Sequence, residues 1–151
     1  MYSWLVFVHL VGLVVFALAH GVSAAVGFRV RGERDANVVA AMLGLSQMAV
    51  GGLYVGLLLL GVGGLAAAWQ GGLLTAPWVV ASYVTLGVVL IVMWSVASPY
   101  YGKVRELAKD ATTAGDGRLT EALDTRRPEI LLGVGAVGLL VLVWLMVLKP
   151  G

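Results

Sequence analysis

Residues 3–28 read SWLVFVHLVGLVVFALAHGVSAAVGF, one long run of uncharged and mostly apolar side chains. A helix of about 20 apolar residues is long enough to cross the hydrocarbon core of a bilayer. No water satisfies backbone N–H and C=O groups there, so the run must pair them internally. Residues 3–28 therefore predict a transmembrane helix. Arg29 and Arg31 follow it as a stop-transfer flank, which favours a retained helix over a cleaved signal peptide.

Three further runs, at 38–69, 77–98 and 130–148, have the same character. Of the 151 residues, 60% are hydrophobic and only 12% are charged, whereas an average soluble domain is about 25% charged. The runs lack the alternation of a membrane β-barrel. The sequence therefore predicts an all-α polytopic membrane protein, in which residues 1–151 form one antiparallel bundle of four transmembrane helices. This composition excludes a nucleic-acid-binding protein, and the absence of cysteine excludes disulfides and thiolate sites.

The charged residues predict an orientation. Nine of the ten basic residues lie in two connections, between runs one and two and between runs three and four, and all eight acidic residues lie there too. The remaining basic residue is Lys149. Because cytoplasmic loops carry the excess of Lys and Arg, we expect both charged connections in the cytoplasm and both termini outside.

The second charged connection, residues 99–129, has its own pattern. Pro99 disfavours helix at Ser98, which predicts the end of the third helix there. Apolar residues then recur at helical spacing on both sides of a turn at 115–117: Val104, Leu107, Ala108, Leu119, Ala122 and Leu123. We expect two short amphipathic helices on the inner membrane surface, in preference to a solvated linker.

Two histidines, His9 and His20, are the only Asp, Glu, Lys, Arg or His residues in the runs. They are eleven residues apart, so both lie on one helix face, about 16 Å from each other along the axis. That distance is too long for one metal ion or one haem to bind both, and we predict no separate metal site. An ionisable face on a membrane helix is expected to contact protein and not lipid.

The histidines suggest either a ligand role or hydrogen bonding between helices. Antiparallel alignment of the runs places Met48 near the depth of His20, and Tyr83 and Gly56 near His9. His9, His20 and Met48 are therefore the candidate ligands of a haem, with His20 and Met48 as a geometrically allowed axial pair.

Glycine is abundant, with 21 residues, and Gly52 and Gly56 form a GxxxG pair in the second run. Such pairs let helix backbones approach closely. The sequence leaves open whether this approach is inside the bundle, at a homodimer face or along a ligand groove.

Three short motifs resemble a bacterial family of four-helix predicted integral membrane proteins, and the likeness covers nearly the whole chain. They are Phe7-Val8-His9-Leu10-Val11-Gly12, His20-Gly21-Val22-Ser23 running into Phe28–Asp35, and Ala97-Ser98-Pro99-Tyr100-Tyr101. The family is distantly similar to copper resistance D-like proteins and to membrane protoporphyrinogen oxidase-type proteins. The resemblance implies a four-helix bundle in the bacterial inner membrane. In the oxidase type it also implies haem b held by a first-helix histidine, which would be His9.

Two functions are consistent with these features. The first is a small integral membrane protein that binds haem b, or is linked to redox chemistry, through the first-span histidines. The alternative is a non-catalytic helper or assembly subunit that docks on another membrane protein through loop 99–129. The expected partners are the lipid bilayer and either a second copy or another membrane protein. The sequence does not decide whether the protein is an enzyme.

Overall fold

The computed structural model describes residues 1–114 and 117–150, and the side chains of all of these except 111–114. Its helices are α1 (Tyr2–Arg31), α2 (Ala36–Gln70), α3 (Pro77–Ala114), α4 (Gly117–Leu123) and α5 (Arg127–Leu148). No strand occurs in this described part of the chain. The predicted all-α fold is confirmed.

The four long helices form a closed ring in which α1 contacts α2, α2 contacts α3, α3 contacts α5, and α5 contacts α1. Short connections at 32–35 and 71–76 make successive helices antiparallel. Four segments are long and apolar enough to cross a membrane: α1, α2, residues 77–110 of α3, and the stretch that contains α5. The outer wall is apolar, since Leu18, Leu58 and Leu140 are 68%, 64% and 69% exposed. A surface of this kind needs lipid as its solvent.

Local signals set the helix ends. Asp35 caps α2 by accepting a hydrogen bond from the backbone N–H of Asn37 at 2.8 Å. Pro77 opens α3, and Pro128 stands in the first turn of α5. At the other end of α5, Lys149 adopts the left-handed conformation (φ 47°), and its backbone N–H donates to the carbonyl of Leu145.

Glycines let α1 and α2 approach each other closely. A Cβ on Gly12 would overlap the backbone at Leu60, and a Cβ on Gly56 would lie 2.5 Å from the backbone nitrogen of Phe16. Gly52 faces Ala19 further along the same contact. Gly52 and Gly56 therefore serve packing inside the bundle, which settles the question that the GxxxG pair left open.

The prediction that the third helix ends at Ser98 is wrong, because α3 continues through Pro99 to Ala114. A proline inside a helix costs about 3 kcal/mol through a lost hydrogen bond and a clash. Beyond Pro99, Tyr100 and Val104 are 4% and 0% exposed. Burying a large apolar side chain contributes about 1.5–3 kcal/mol. Burial of the extension therefore outweighs the proline.

The loop helices are amphipathic as expected, but they occupy a different place. The first is the extension of α3, and the second is α4, whose Leu119 and Leu123 are buried. Their apolar faces complete a cluster with the ends of α1 and α2: Val26, Val30, Val39, Leu43, Tyr100, Val104, Ala108, Leu119 and Leu123. The loop thus packs onto the bundle and not onto the membrane surface. Of the expected turn at 115–117, residues 115 and 116 lie outside the described residues.

We predict that Gly56→Ala destabilises the bundle by about 1–3 kcal/mol, because the new Cβ would meet backbone atoms that cannot retract without separating the helices. Unfolding in detergent, followed by circular dichroism, measures this change. Gly51→Ala is the matched control, since no atom lies within 4 Å of a Cβ at Gly51. Equal stabilities of the two variants would contradict the close approach.

Candidate functional site

A cavity of about 430 Å³ lies between α1, α2, α3 and α5. It occupies the half of the bundle near the connection 71–76, which we call the short-loop end. Its walls come from residues 2–16 of α1, 57–68 of α2, 78–86 of α3 and 139–147 of α5. Tyr2 and Val147, which also line it, are 45% and 69% exposed, so the cavity reaches the protein surface. We call it the bundle cavity.

The walls of the bundle cavity are mainly Leu, Val and Ala, with few polar side chains. The polar or charged side chains among its lining residues that belong to the described part of the chain are His9, Ser82, Tyr83 and Lys149, together with the phenol of Tyr2. The Ser82 hydroxyl donates to the carbonyl of Trp78 within its own helix at 2.7 Å. A cavity of this size, apolar with a few convergent polar groups, is typical of a small-molecule site.

His9 is held by the backbone of the facing helix. Its Nδ1 is 2.7 Å from the carbonyl oxygen of Leu60 on α2. A carbonyl only accepts hydrogen bonds, so Nδ1 must carry the proton in this contact. In a neutral imidazole the lone pair is then on Nε2. Nε2 makes no hydrogen bond within residues 1–114 and 117–150.

Gly64 provides the space that this arrangement requires. A Cβ at Gly64 would lie 2.7 Å from Nδ1 of His9 and 3.4 Å from the hydroxyl oxygen of Tyr83. That hydroxyl donates to the carbonyl of Gly61 at 2.9 Å. Because Gly64 has no side chain, the imidazole of His9 and the phenol of Tyr83 both fit beside it. Each of the two side chains is hydrogen-bonded to a backbone carbonyl of α2.

His20 has different surroundings. Its ring stacks on Phe16, with centroids 6.0 Å apart and planes 4° from parallel. Its Nε2 is buried and has no hydrogen-bond partner among the described residues, and a Cβ at Gly135 of α5 would lie 2.7 Å from it. Both histidines thus contact protein, as predicted from their common face. His20, however, is packed tightly against α5 and does not line the cavity.

Met48 is 79% exposed on the outer surface of α2. The structure therefore does not pair it with His20, whose Nε2 faces α5. Of the three candidate ligands, only His9 lines the bundle cavity. Tyr83, which sequence alignment of the helices placed near His9, lines it as well.

Sequence reasoning missed the parts that Gly64 and Lys149 play here. Lys149 lies on the rim of the cavity, with its Nζ 5.6 Å from the ring centroid of Trp78. Its signal was visible as the single basic residue outside the two charged connections. Gly64 had no distinguishing signal, since it stands among several glycines of the same helix.

The fold and the cavity define a small four-helix integral membrane protein with an internal ligand-sized site. The chain belongs to the family described as Predicted integral membrane protein (DUF2269), whose model matches residues 3–150. Neither the curated proteins nor the solved structures contain a match. The expected family is confirmed, whereas similarity to the copper resistance and protoporphyrinogen oxidase types is not shown.

We predict that Gly64→Ala breaks the hydrogen bond between His9 and Leu60, because the added methyl group occupies the space of Nδ1. Nitrogen-15 NMR of labelled histidine in detergent should show that the His9 ring no longer holds a single tautomer. Gly61→Ala is the control, since nothing lies within 4 Å of a Cβ there. An unchanged His9 resonance in Gly64→Ala would show that the contact does not depend on this glycine.

Proposed function

We propose that the protein binds haem b in the bundle cavity, with Nε2 of His9 as an axial ligand. The observation that carries the proposal is the hydrogen bond from Nδ1 of His9 to the carbonyl of Leu60. Histidines that bind metals typically donate their other ring N–H to a carbonyl or carboxylate, which sets the tautomer and the ring orientation. In His9 this bond leaves Nε2 as the nitrogen that can coordinate iron.

The contrast with His20 supports His9 as the ligand. Nε2 of His20 is buried against α5 at Gly135, so a ligand reaches it only if the two helices separate. His9 lines a cavity that already exists. Among the histidines, His9 is therefore the one with room for a cofactor.

The walls of the cavity have the apolar character that a porphyrin ring needs, since they are mainly Leu, Val and Ala. The volume of about 430 Å³ lies within the usual range of ligand pockets, roughly 300–1,000 Å³. Apolar walls of this kind strengthen the few polar contacts inside the cavity. The Tyr83 hydroxyl, held by the carbonyl of Gly61, is a further polar group on the same wall as His9. A bound haem would supply one-electron redox chemistry at this site.

The alternative helper role has less support in the described residues. The apolar faces of the α3 extension and of α4 are already used against the bundle end. A docking surface on loop 99–129 would therefore consist mainly of charged side chains. We retain haem binding as the proposal.

We predict that the purified protein in non-ionic detergent shifts and sharpens the Soret band of added haem b, relative to haem b in the same detergent without protein. His9→Ala should weaken haem b binding at least about tenfold, because loss of even a group that supports a metal ligand typically lowers metal affinity roughly 10- to 100-fold. His20→Ala is the matched control and should keep the band. Free imidazole should restore the spectrum of His9→Gly by filling the vacated position, which distinguishes loss of a ligand from loss of folding.

Two results would overturn this proposal. The first is a wild type that leaves the Soret band of haem b in detergent unchanged at every haem concentration tested, which removes the function. The second is a His9→Ala variant that binds haem b as tightly as the wild type, which removes His9 as the ligand.

We further propose that the protein lies in the bacterial inner membrane with the short-loop end outside, because nine of ten basic residues lie at or beyond the other end. The chain contains no cysteine, so single cysteines report topology directly. Thr75→Cys, exposed in the short connection, should react with a membrane-impermeant maleimide in intact cells. Thr120→Cys, exposed on α4, should react only after lysis. The reverse pattern would invert the orientation.

A further inference from the structure

Among the described residues that line the bundle cavity, Lys149 is the one Lys or Arg, and its surroundings indicate what it binds. Lys149 lines the cavity at the end of α5 and lies over the ring of Trp78, with 5.6 Å between Nζ and the ring centroid. A cation over an aromatic ring is attracted by the negative face of the ring. It holds the ammonium group at the mouth without neutralising it.

Among the described residues, no acidic side chain pairs with this ammonium. Seven of the eight acidic residues are described, and they lie at 33–35, 106–110 and 121–129, in the charged connections at the opposite end of the bundle; the eighth, Asp116, lies outside the described residues. A charge at the edge of an apolar cavity interacts with an opposite charge more strongly than it would in water. Lys149 can therefore pair with an anion that binds at the mouth of the cavity.

Backbone geometry keeps Lys149 at this place. The residue adopts φ 47° and ψ 54°, and its N–H closes the last turn of α5 on Leu145. Left-handed geometry is unfavourable for a non-glycine residue. A residue keeps such a conformation only where the surrounding structure holds it there.

We propose that Lys149, supported by Trp78, recognises a carboxylate on the molecule that occupies the bundle cavity. This inference rests on the proposed function: haem b carries two carboxylates at one edge of an otherwise apolar ring. His9, partway along the cavity wall, and Lys149, at the rim, would then favour one orientation of such a ligand, with its carboxylates toward the short-loop end. The occupant of the site is an amphipathic anion and not a fully apolar lipid chain.

The test compares two ligands that share the porphyrin ring and iron and differ at the two carboxyl groups: haem b, in which they are ionised, and its dimethyl ester, in which they are uncharged methyl esters. In non-ionic detergent no lipid phosphate competes for Lys149. We expect Lys149→Met to weaken haem b binding about tenfold, as a lost charged hydrogen bond would, and to leave ester binding unchanged. Lys149→Arg should retain the preference for haem b. Lys103 is exposed at the opposite end of the bundle, which carries the two charged connections and which we call the charged end. Lys103→Met is the control and should match the wild type.

The outcomes separate this inference from the proposed function. A wild type that binds neither ligand overturns both. A wild type that binds both ligands, with Lys149→Met affecting the two equally or not at all, overturns only the role of Lys149. A lipid phosphate is the competing anion, and nanodiscs with phosphatidylglycerol test it. If the effect of Lys149→Met on haem b disappears there, the lysine serves the lipid and the inference fails.

Discussion

The close approach of α1 and α2 is the constraint on which the rest of the structure depends. In lipid, apolar side chains gain little by leaving their solvent for one another, so helix association relies on packing and on polar contacts between helices. Gly12, Gly56 and Gly63 bring the two backbones into contact along one antiparallel register. Only at this separation does the short side chain of His9 reach the carbonyl of Leu60. The packing of the bundle and the chemistry of the site thus have one cause.

The interior of the bundle is filled at one end and contains a cavity at the other. At the charged end, the α3 extension and α4 fill the space between the helix ends with a buried cluster that includes Val104 and Leu123. At the short-loop end, the connection 71–76 brings no comparable segment. The bundle cavity lies at that end. The asymmetry of the loops is therefore also the reason why one half of the interior is dense and the other half has room for a ligand.

The sequence predicts the fold well, because hydropathy and helix length depend on the solvent and not on tertiary contacts. It also places His9 and His20 on one inward face, since helical periodicity gives them a common face and an ionisable face avoids lipid. It cannot predict that α3 passes through Pro99, because the compensating burial of Tyr100 and Val104 depends on where α1 and α2 end. The sequence also cannot show which side of α2 carries Met48. Equal depth in the membrane makes Met48 a candidate ligand beside His20, but Met48 faces outward.

The two histidines show how the neighbouring helix divides similar residues into different roles. Each ring packs over a glycine, His9 over Gly64 and His20 over Gly135. At His9 a backbone carbonyl accepts the hydrogen bond from Nδ1, which defines the tautomer and leaves the lone pair on Nε2 of a residue that lines the cavity. At His20 the adjacent helix covers Nε2 itself, so the unpaired nitrogen is enclosed. The eleven-residue spacing places His9 and His20 on the same face of α1, so the sequence does not distinguish them. The carbonyl of Leu60 on α2 does, because it orients the His9 ring for a ligand and has no counterpart at His20 among the described contacts.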